Sequence, residues 1–352
     1  MIILGIDTSC DDTCASILEV KGKKFNILSH IVSSQVKLHA EYGGVFPSLA
    51  KREHLKNLPL VLRKALKEAK IKLNGSDIDY IAVTQGPGLE PCLWTGINFV
   101  NDLSQKIKKP ILPVNHIEGH VLANWLSHKE SEIKLPAVCL IVSGGHTELV
   151  LMKKIGDYKL IGQTRDDAAG ECFDKIARIL GLGYPGGFVV DEQARQWKSE
   201  KQNTKHEINL PRPMIAQKNY EFSFSGLKTA VLYKVKSDGK KAKSKKYIQE
   251  MCAEVQQSII DVLVKKTLQV AKDFKVKSII VGGGVISSKE LREQLGAKIK
   301  KELPRVKYFI PDIKYCMDNG SMIAIAGFYN LKSNKNQTLK TITADANLKI
   351  HS

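Results

Sequence analysis

An apolar strand that breaks into a turn and is answered by a second strand opens this chain at 2-IILGIDTSCDD-12 and recurs at 137-AVCLIVSGGHTELVLM-152. Each reads as a strand followed by a polar hairpin. With 352 residues, the chain exceeds one ordinary core and most naturally splits in two. Two α/β halves that open alike imply two related lobes around a central cleft.

The remaining patterns alternate strands with helices. Strands are expected at 2–6, 14–19, 25–35, 81–85 and 111–114 in the first half, and within 278-SIIVGGGV-285 in the second. Helices are expected at 48–70, as a pair or with a kink because of Pro59, and near 95–108, 168–180, 191–199, 246–274 and 319–331. A Pro-rich irregular stretch leads up to residue 220.

No apolar run approaches the roughly 18 residues of a membrane span, and the N-terminus lacks the basic flank of a signal peptide. A cytoplasmic protein with no membrane association is expected. Its seven cysteines form no CxxC pair, so neither a disulfide framework nor a zinc ribbon is implied. The net charge of +18 fits a polyanionic partner or merely a Lys-rich surface. The run 234-KVKSDGKKAKSKK-246 shows no apolar periodicity and reads as a mobile basic loop suited to phosphate backbones.

The stretch 115-NHIEGH-120 carries the sharpest chemistry. On a helix, His116 and His120 share one face and can present imidazoles to a single ion. Glu118, two residues on, points about 200° around the helix. The zinc-peptidase signature HExxH is therefore not met. A third ligand is needed, and a carboxylate at a strand–helix junction across the cleft would supply it. Asp318 in 317-MDNGSMIAIAG-327 is such a group, and it is also placed to cap the last helix.

Three glycine turns follow apolar strands, 86-GPGL-89, 143-SGGHT-147 and 282-GGGV-285. None is a P-loop or a dinucleotide fingerprint, but together they suggest a nucleotide clasp. Asp167, Glu171 and Asp174 lie along a helix start, where carboxylates either balance the dipole or bind ribose hydroxyls. Asp174 sits too far into the helix for dipole compensation alone.

Eleven colinear segments resemble the tRNA threonylcarbamoyladenosine synthase family, once labelled O-sialoglycoprotein endopeptidases. They are 4-LGIDTSCDDT-13, 39-HAEYGGVFPSLAKREH-54, 86-GPGL-89, 115-NHIEGH-120, 141-IVSGGHTEL-149, 167-DAAGECFDK-175, 184-YPGG-187, 211-PRPM-214, 222-FSFSGLKT-229, 282-GGGV-285 and 318-DNGSMIA-324. The resemblance implies an α/β fold of two duplicated RNase H-like lobes, as in acetate and sugar kinases, Hsp70 and actin. The lobes would be 1–134 with 318–352, and 135–317. It implies transfer of a threonylcarbamoyl group from threonylcarbamoyl-AMP to N6 of the adenosine just 3′ of the anticodon, in tRNAs reading ANN codons, releasing AMP. By the same resemblance His116, His120 and Asp318 hold one divalent metal, Fe(II) foremost, with Zn(II) or Mg(II) as alternatives. Asp12 joins these three as a catalytic candidate. Ile141, Val142, Ser143, Gly144, Gly145, Asp174, Gly187, Asp191 and Ser288 are the expected adenylate contacts. The implied partners are the tRNA anticodon stem-loop, a paralogous dimerisation subunit and a small P-loop ATPase.

Several positions depart from the family pattern. Asp12 stands where bacterial members usually have Glu, Ser48 replaces a common Glu, and Ser288 falls where an Asn is usual. Ile141 replaces the Tyr of archaeal and eukaryotic members, and GGH replaces their GGN, which together mark the bacterial type. The competing expectations are a small-molecule kinase of the same fold, a non-catalytic partner subunit, and the metallopeptidase of the old label. Retention of His116, His120 and Asp318 argues against the first two, and the glutamate spacing against the third.

Overall fold

The computed structural model describes residues 1–73, 77–200, 207–332 and 341–350. It divides into two compact units: Met1–Leu135, Met152–Lys159 and Phe309–Ser352 in the first, Pro136–Leu151 and Leu160–Tyr308 in the second. The segments 152–159 and 309–317 thus group with the first unit rather than with the second half of the chain.

The first unit contains β1 (Ile2–Asp7), β2 (Asp12–Lys21), β3 (Lys24–Ser34), α1 (Val36–Ala40), α2 (Pro47–Ala69), β4 (Tyr80–Gly86), α3 (Glu90–Ile107), β5 (Ile111–Asn115) and α4 (His116–Leu122). Its sheet runs β3-β2-β1-β4-β5, with β2 antiparallel to both neighbours and β4 parallel to β1 and β5. Side chains alternate across a strand, so β1 serves two layers. Leu4 and Ile6 join the apolar core formed with Leu58, Val61 and Leu62 of α2 and Ile97 and Val100 of α3. Gly5 faces the other way, against the last helix of the chain.

The second unit is built on β6 (Ala137–Val142), β7 (Thr147–Lys154), β8 (Asp157–Gln163), α5 (Ala169–Ile179), α6 (Gly186–Glu200), α7 (Ser225–Asp238), α8 (Lys245–Asp273), β9 (Ser278–Gly282), α9 (Lys289–Glu302) and β10 (Lys307–Phe309). The last helix, α10 (Gly320–Lys332), returns to the first unit. The second sheet runs β10-β9-β6-β7-β8. Numbered within its own unit, each sheet has the order third, second, first, fourth, fifth when the second is read from its β8 edge. In both, the first strand is parallel to the fourth. The repeated strand-and-hairpin opening of the sequence is therefore a duplicated topology.

α10 lies close to its sheet because glycines line the contact. A Cβ on Gly5 would stand 2.8 Å from the Ala324 nitrogen and 2.9 Å from its Cβ, and one on Gly327 would stand 2.8 Å from the Ala82 Cβ. Here glycine is used for close approach.

Three local expectations are corrected. Residues 47–69 form one continuous helix despite Pro59. The proline is exposed, as is Leu55 four residues earlier, so the carbonyl that loses its donor can turn to water. The basic run 234–246 is not a loop: it comprises the end of α7, a 3-10 turn over Gly239–Lys243 and the start of α8. Asp318 does not cap α10. That role falls to Asn319, whose Oδ1 accepts from the Met322 N–H at 2.9 Å. All seven cysteines are free.

Candidate functional site

β5 ends at Asn115 and α4 begins at His116 with no loop between them. Asn115 makes the junction possible, its Oδ1 accepting from the N–H groups of Ile117 and Glu118 at 2.9 and 3.1 Å, as an N-cap does. His116 and His120 then lie one turn apart, edge to face, with ring centroids 4.7 Å apart and the ring planes at 78°. Both are buried. Glu118 leaves this face, as the spacing requires, and accepts a hydrogen bond from Asn330 Nδ2 at 3.0 Å.

Asp318 supplies the third group. Its Oδ1 lies 3.4 Å from His116 Nε2 and 3.3 Å from His120 Nε2. It reaches the histidines from within the same unit, not from the opposite one, because the chain returns to the first unit before α10. One ligand atom from each residue lies within 4.8 Å of the others. Ligands sharing an ion through bonds of roughly 2.0–2.2 Å are spaced in this way. Both nitrogens of His120 and Nδ1 of His116 are buried without a hydrogen-bond partner. Buried imidazole nitrogens are ordinarily satisfied, so this donor set fits a bound cation.

Asp7, at the end of β1, is the neighbour that sequence reasoning missed. Its fully buried Oδ2 faces His116 Nδ1 at 3.5 Å, while Oδ1 accepts from Thr84 Oγ1 at 2.7 Å and the Ser9 N–H at 3.0 Å. A carboxylate behind the free nitrogen of a ligating histidine is the usual outer partner of a metal site. The sequence signal was a short apolar strand ending on a charge. Ser9 Oγ also donates to Asp318 Oδ2, at 3.4 Å.

The charges respond to this crowding. Burial opposes the imidazolium of His116, but Asp318 and then Asp7 outweigh it and raise the group to about 9. Burial, reinforced by the charge on His116, lowers His120. Burial works against Asp318 too, yet His116 and His120 hold it well below the usual carboxylate range. Without metal, His116 is thus protonated at neutral pH, so metal binding must expel a proton and should strengthen as pH rises.

Asp12 opens β2 opposite Ser34. Burial pushes its carboxyl up to about 7, and its Oδ1 has no hydrogen-bond partner. It is not among the three clustered ligand groups. The turn bearing Asp11 and Asp12 is fixed by His54, whose Nε2 meets the Cys10 carbonyl at 2.9 Å and whose Nδ1 meets Thr13 Oγ1 at 2.8 Å. The carbonyl can only accept, so His54 carries its proton on Nε2.

The second unit holds the other expected residues. Ile141 and Val142 are fully buried in β6, so their side chains belong to the core and not to a ligand surface. Beyond them Ser143 turns the chain, its N–H donating to the His146 carbonyl at 2.8 Å and its Oγ accepting from the His146 N–H at 3.1 Å. A Cβ on Gly144, Gly145 or Gly187 would meet nothing within 4 Å. Asp174 Oδ1 accepts from the Gly186 N–H at 2.7 Å, at the start of α6. Asp191 Oδ1 accepts from Ser288 Oγ at 2.8 Å and Gln256 Nε2 at 2.7 Å. The structure therefore brings Asp191 and Ser288 into contact.

The three glycine turns are not equivalent. Within 86–89, a Cβ on Gly88 would stand 2.6 Å from the Ser9 carbonyl oxygen, so this turn is filled by its own chain. Gly283 takes φ +93°, and a Cβ there would stand 2.7 Å from the Val142 carbonyl carbon. Of the three, the 143–147 turn offers open backbone. Asp167 and Glu171 both pair with Lys175, at 2.7 and 2.8 Å.

The model of the tRNA N6-adenosine threonylcarbamoyltransferase family matches residues 26–325. A protein of that name from Thermosipho africanus is 45% identical over 350 residues, covering 99% of this chain and 100% of the relative. One from Clostridioides difficile is 42% identical over 352 residues, covering 100% and 99%. Among solved structures, full-length HypF in its phosphate- and nucleotide-bound form aligns with a TM-score of 0.56 at 11% identity. It covers 96% of this chain, which spans only 56% of that protein, and it supports the duplicated fold alone. The chain belongs to the tRNA N6-adenosine threonylcarbamoyltransferase family.

Proposed function

We propose that this protein transfers the threonylcarbamoyl group of threonylcarbamoyl-AMP to N6 of the adenosine 3′ of the anticodon, using a divalent cation held by His116, His120 and Asp318. The observation that carries the reading is the convergence of both Nε2 atoms on one Asp318 oxygen at 3.3–3.4 Å. Two imidazoles and one carboxylate leave coordination positions open and suit Fe(II), with Zn(II) or Mg(II) as other occupants. A bound cation would supply positive charge for the phosphate or the acyl oxygen of the adenylate.

The chain's own groups do the rest. Asp7 orients His116. Asp12, with its carboxyl near 7, is matched to take the proton that N6 must lose. An exocyclic amine is a weak nucleophile, so holding it in line with an activated acyl group is worth much of the barrier. In the second unit the N–H groups of Gly144, Gly145 and Gly187, the first two on the turn that Ser143 closes through His146, are suited to the adenylate phosphate, and Asp174 and Asp191, with Ser288, to its ribose. Ile141 and Val142 place that turn from the core. The protein works in the cytoplasm with a paralogous dimerisation subunit and a small P-loop ATPase. Among the described residues no helix is long and apolar enough to cross a membrane.

The test combines the full chain and those partners with threonylcarbamoyl-AMP and unmodified tRNA, scoring nucleosides by mass spectrometry. Product should appear, vanish after chelation and return on metal addition. Undiminished product in chelated, metal-free protein would refute the reading.

A further inference from the structure

The basic run 234–246 has no place in the site described above. Its 13 residues hold seven lysines and one acid, Asp238, a net +6 out of the chain's +18. α7 stops at Gly239, which takes φ +51°, and the 3-10 turn leads through Ser244, whose Oγ caps α8 by accepting from the Tyr247 N–H at 3.3 Å. Tyr247 is buried and donates its hydroxyl to Asp238 Oδ2 at 2.7 Å, and Ala242 is buried beneath the turn. The corner is thus anchored by its few uncharged or acidic members, and the lysines are what it displays.

Most of those lysines are not used internally. Lys234 pairs with Asp238 at 3.0 Å, and Lys241 reaches Glu207 at 3.4 Å in an exposed pair. Lys236, Lys240, Lys243, Lys245 and Lys246 are exposed and make no ion pair among the described residues. Lys245 and Lys246 occupy the first turn of α8, which holds no acidic residue. Helices favour acids there, so local stability does not account for the charge. On the last two turns of α7, Tyr233 stands 66% exposed, three residues from Lys236 and so on the same helix face.

We propose that this corner, Tyr233 to Lys246, is a second RNA contact of the enzyme, in which the unpaired lysines take the phosphate backbone of the tRNA substrate and Tyr233 stacks on an unpaired base. The inference rests on the reading that this chain acts on tRNA. Clustered unpaired ammonium groups meet a phosphate backbone without reading sequence, and an exposed aromatic beside them adds the base stacking by which single-stranded segments are held. A merely solvated face would need neither the rigid scaffold nor the adjacent aromatic.

The test measures binding of unmodified tRNA to the full chain across a salt series, together with steady-state transfer in the complete system. The variant Lys236→Gln/Lys240→Gln/Lys243→Gln/Lys246→Gln alters only exposed side chains. Each phosphate that is no longer neutralised should reduce the slope of log K against log salt by about 0.9, or about 0.7 for single-stranded RNA. The quadruple variant should therefore flatten the slope by roughly 3. It should raise KM for tRNA about tenfold or more while leaving kcat at saturating tRNA and adenylate affinity unchanged. Tyr233→Ala should weaken tRNA binding with the slope intact. A quadruple variant whose salt slope and tRNA KM match the parent would overturn the proposal. So would equal weakening for tRNA and for heparin with no change in transfer, which would mark a general polyanion surface. Failure of the unaltered protein to modify tRNA at all would instead count against the function proposed above.

Discussion

Substituting Asp7→Asn tests whether the buried carboxylate sets the protonation of His116. The change is isosteric, and the new amide oxygen can keep both hydrogen bonds now made by Oδ1, from Thr84 Oγ1 at 2.7 Å and the Ser9 N–H at 3.0 Å. The amide nitrogen then replaces Oδ2, which faces His116 Nδ1 at 3.5 Å. A donor in that position cannot face a protonated Nδ1. The imidazole is driven to carry its proton on Nε2, the atom needed as a ligand. Loss of an outer-shell partner typically costs 10–100-fold in metal affinity, or about 1.4–2.8 kcal/mol, and a reversed tautomer places the effect toward the upper end. The assay is competition for the metal against a chelator of known affinity, on parent and variant, with circular dichroism as the control for folding. A folded Asp7→Asn protein that binds metal within twofold of the parent would refute the argument that Asp7 governs this site.

Three further outcomes follow from the geometry. Gly5→Ala would drive a Cβ to 2.8 Å from the Ala324 nitrogen, an overpacking that costs about 1–3 kcal/mol or more. A lowered thermal midpoint would bear this out, and an unchanged one would mean that α10 can move away. Burial without a partner pushes Glu148 up to about 7, while its Oε2 remains unsatisfied. The folded state thus favours its protonated form, and the stability this provides at low pH is lost as pH rises from the unfolded value of about 4.3 through 7. Glu148→Gln should gain on the order of 2 kcal/mol relative to the parent at pH 8 but little at pH 4, as read from denaturant melts. Asp12→Asn should remove the limb of the transfer rate that rises through pH 7, without changing metal content. A variant that keeps the parental pH profile would exclude Asp12 as the proton acceptor.

Most strands were legible because buried ones such as 137–142 are continuous apolar runs whose ends are punctuated by glycine, proline or charge; β8 and β10, which lack such a run, were not. Three helices were left unread: α1 is only five residues long, and α7 and α9 failed for different reasons. α7 buries only Leu227 and Val231, too thin a stripe to stand out. α9 places Leu291, Leu295 and Ile299 at a clean four-residue spacing, but its surrounding charges obscure them. Pro59 misled because proline weakens a helix in proportion to what its missing hydrogen bond served, and on an exposed face that is little. The histidine pair was legible from spacing alone. Asp7 was not, because nothing local distinguishes a carboxylate that ends a strand from one that lies behind a histidine. Nor could glycine content separate the filled turns at 88 and 283 from the open one at 144–145, since that depends on chain brought from elsewhere.

The most direct test of the central claim is metal stoichiometry and threonylcarbamoyl transfer measured together on Asp318→Ala. The variant should be a folded protein that still binds threonylcarbamoyl-AMP but has lost both bound metal and product. Full transfer by a metal-free Asp318→Ala protein would contradict it.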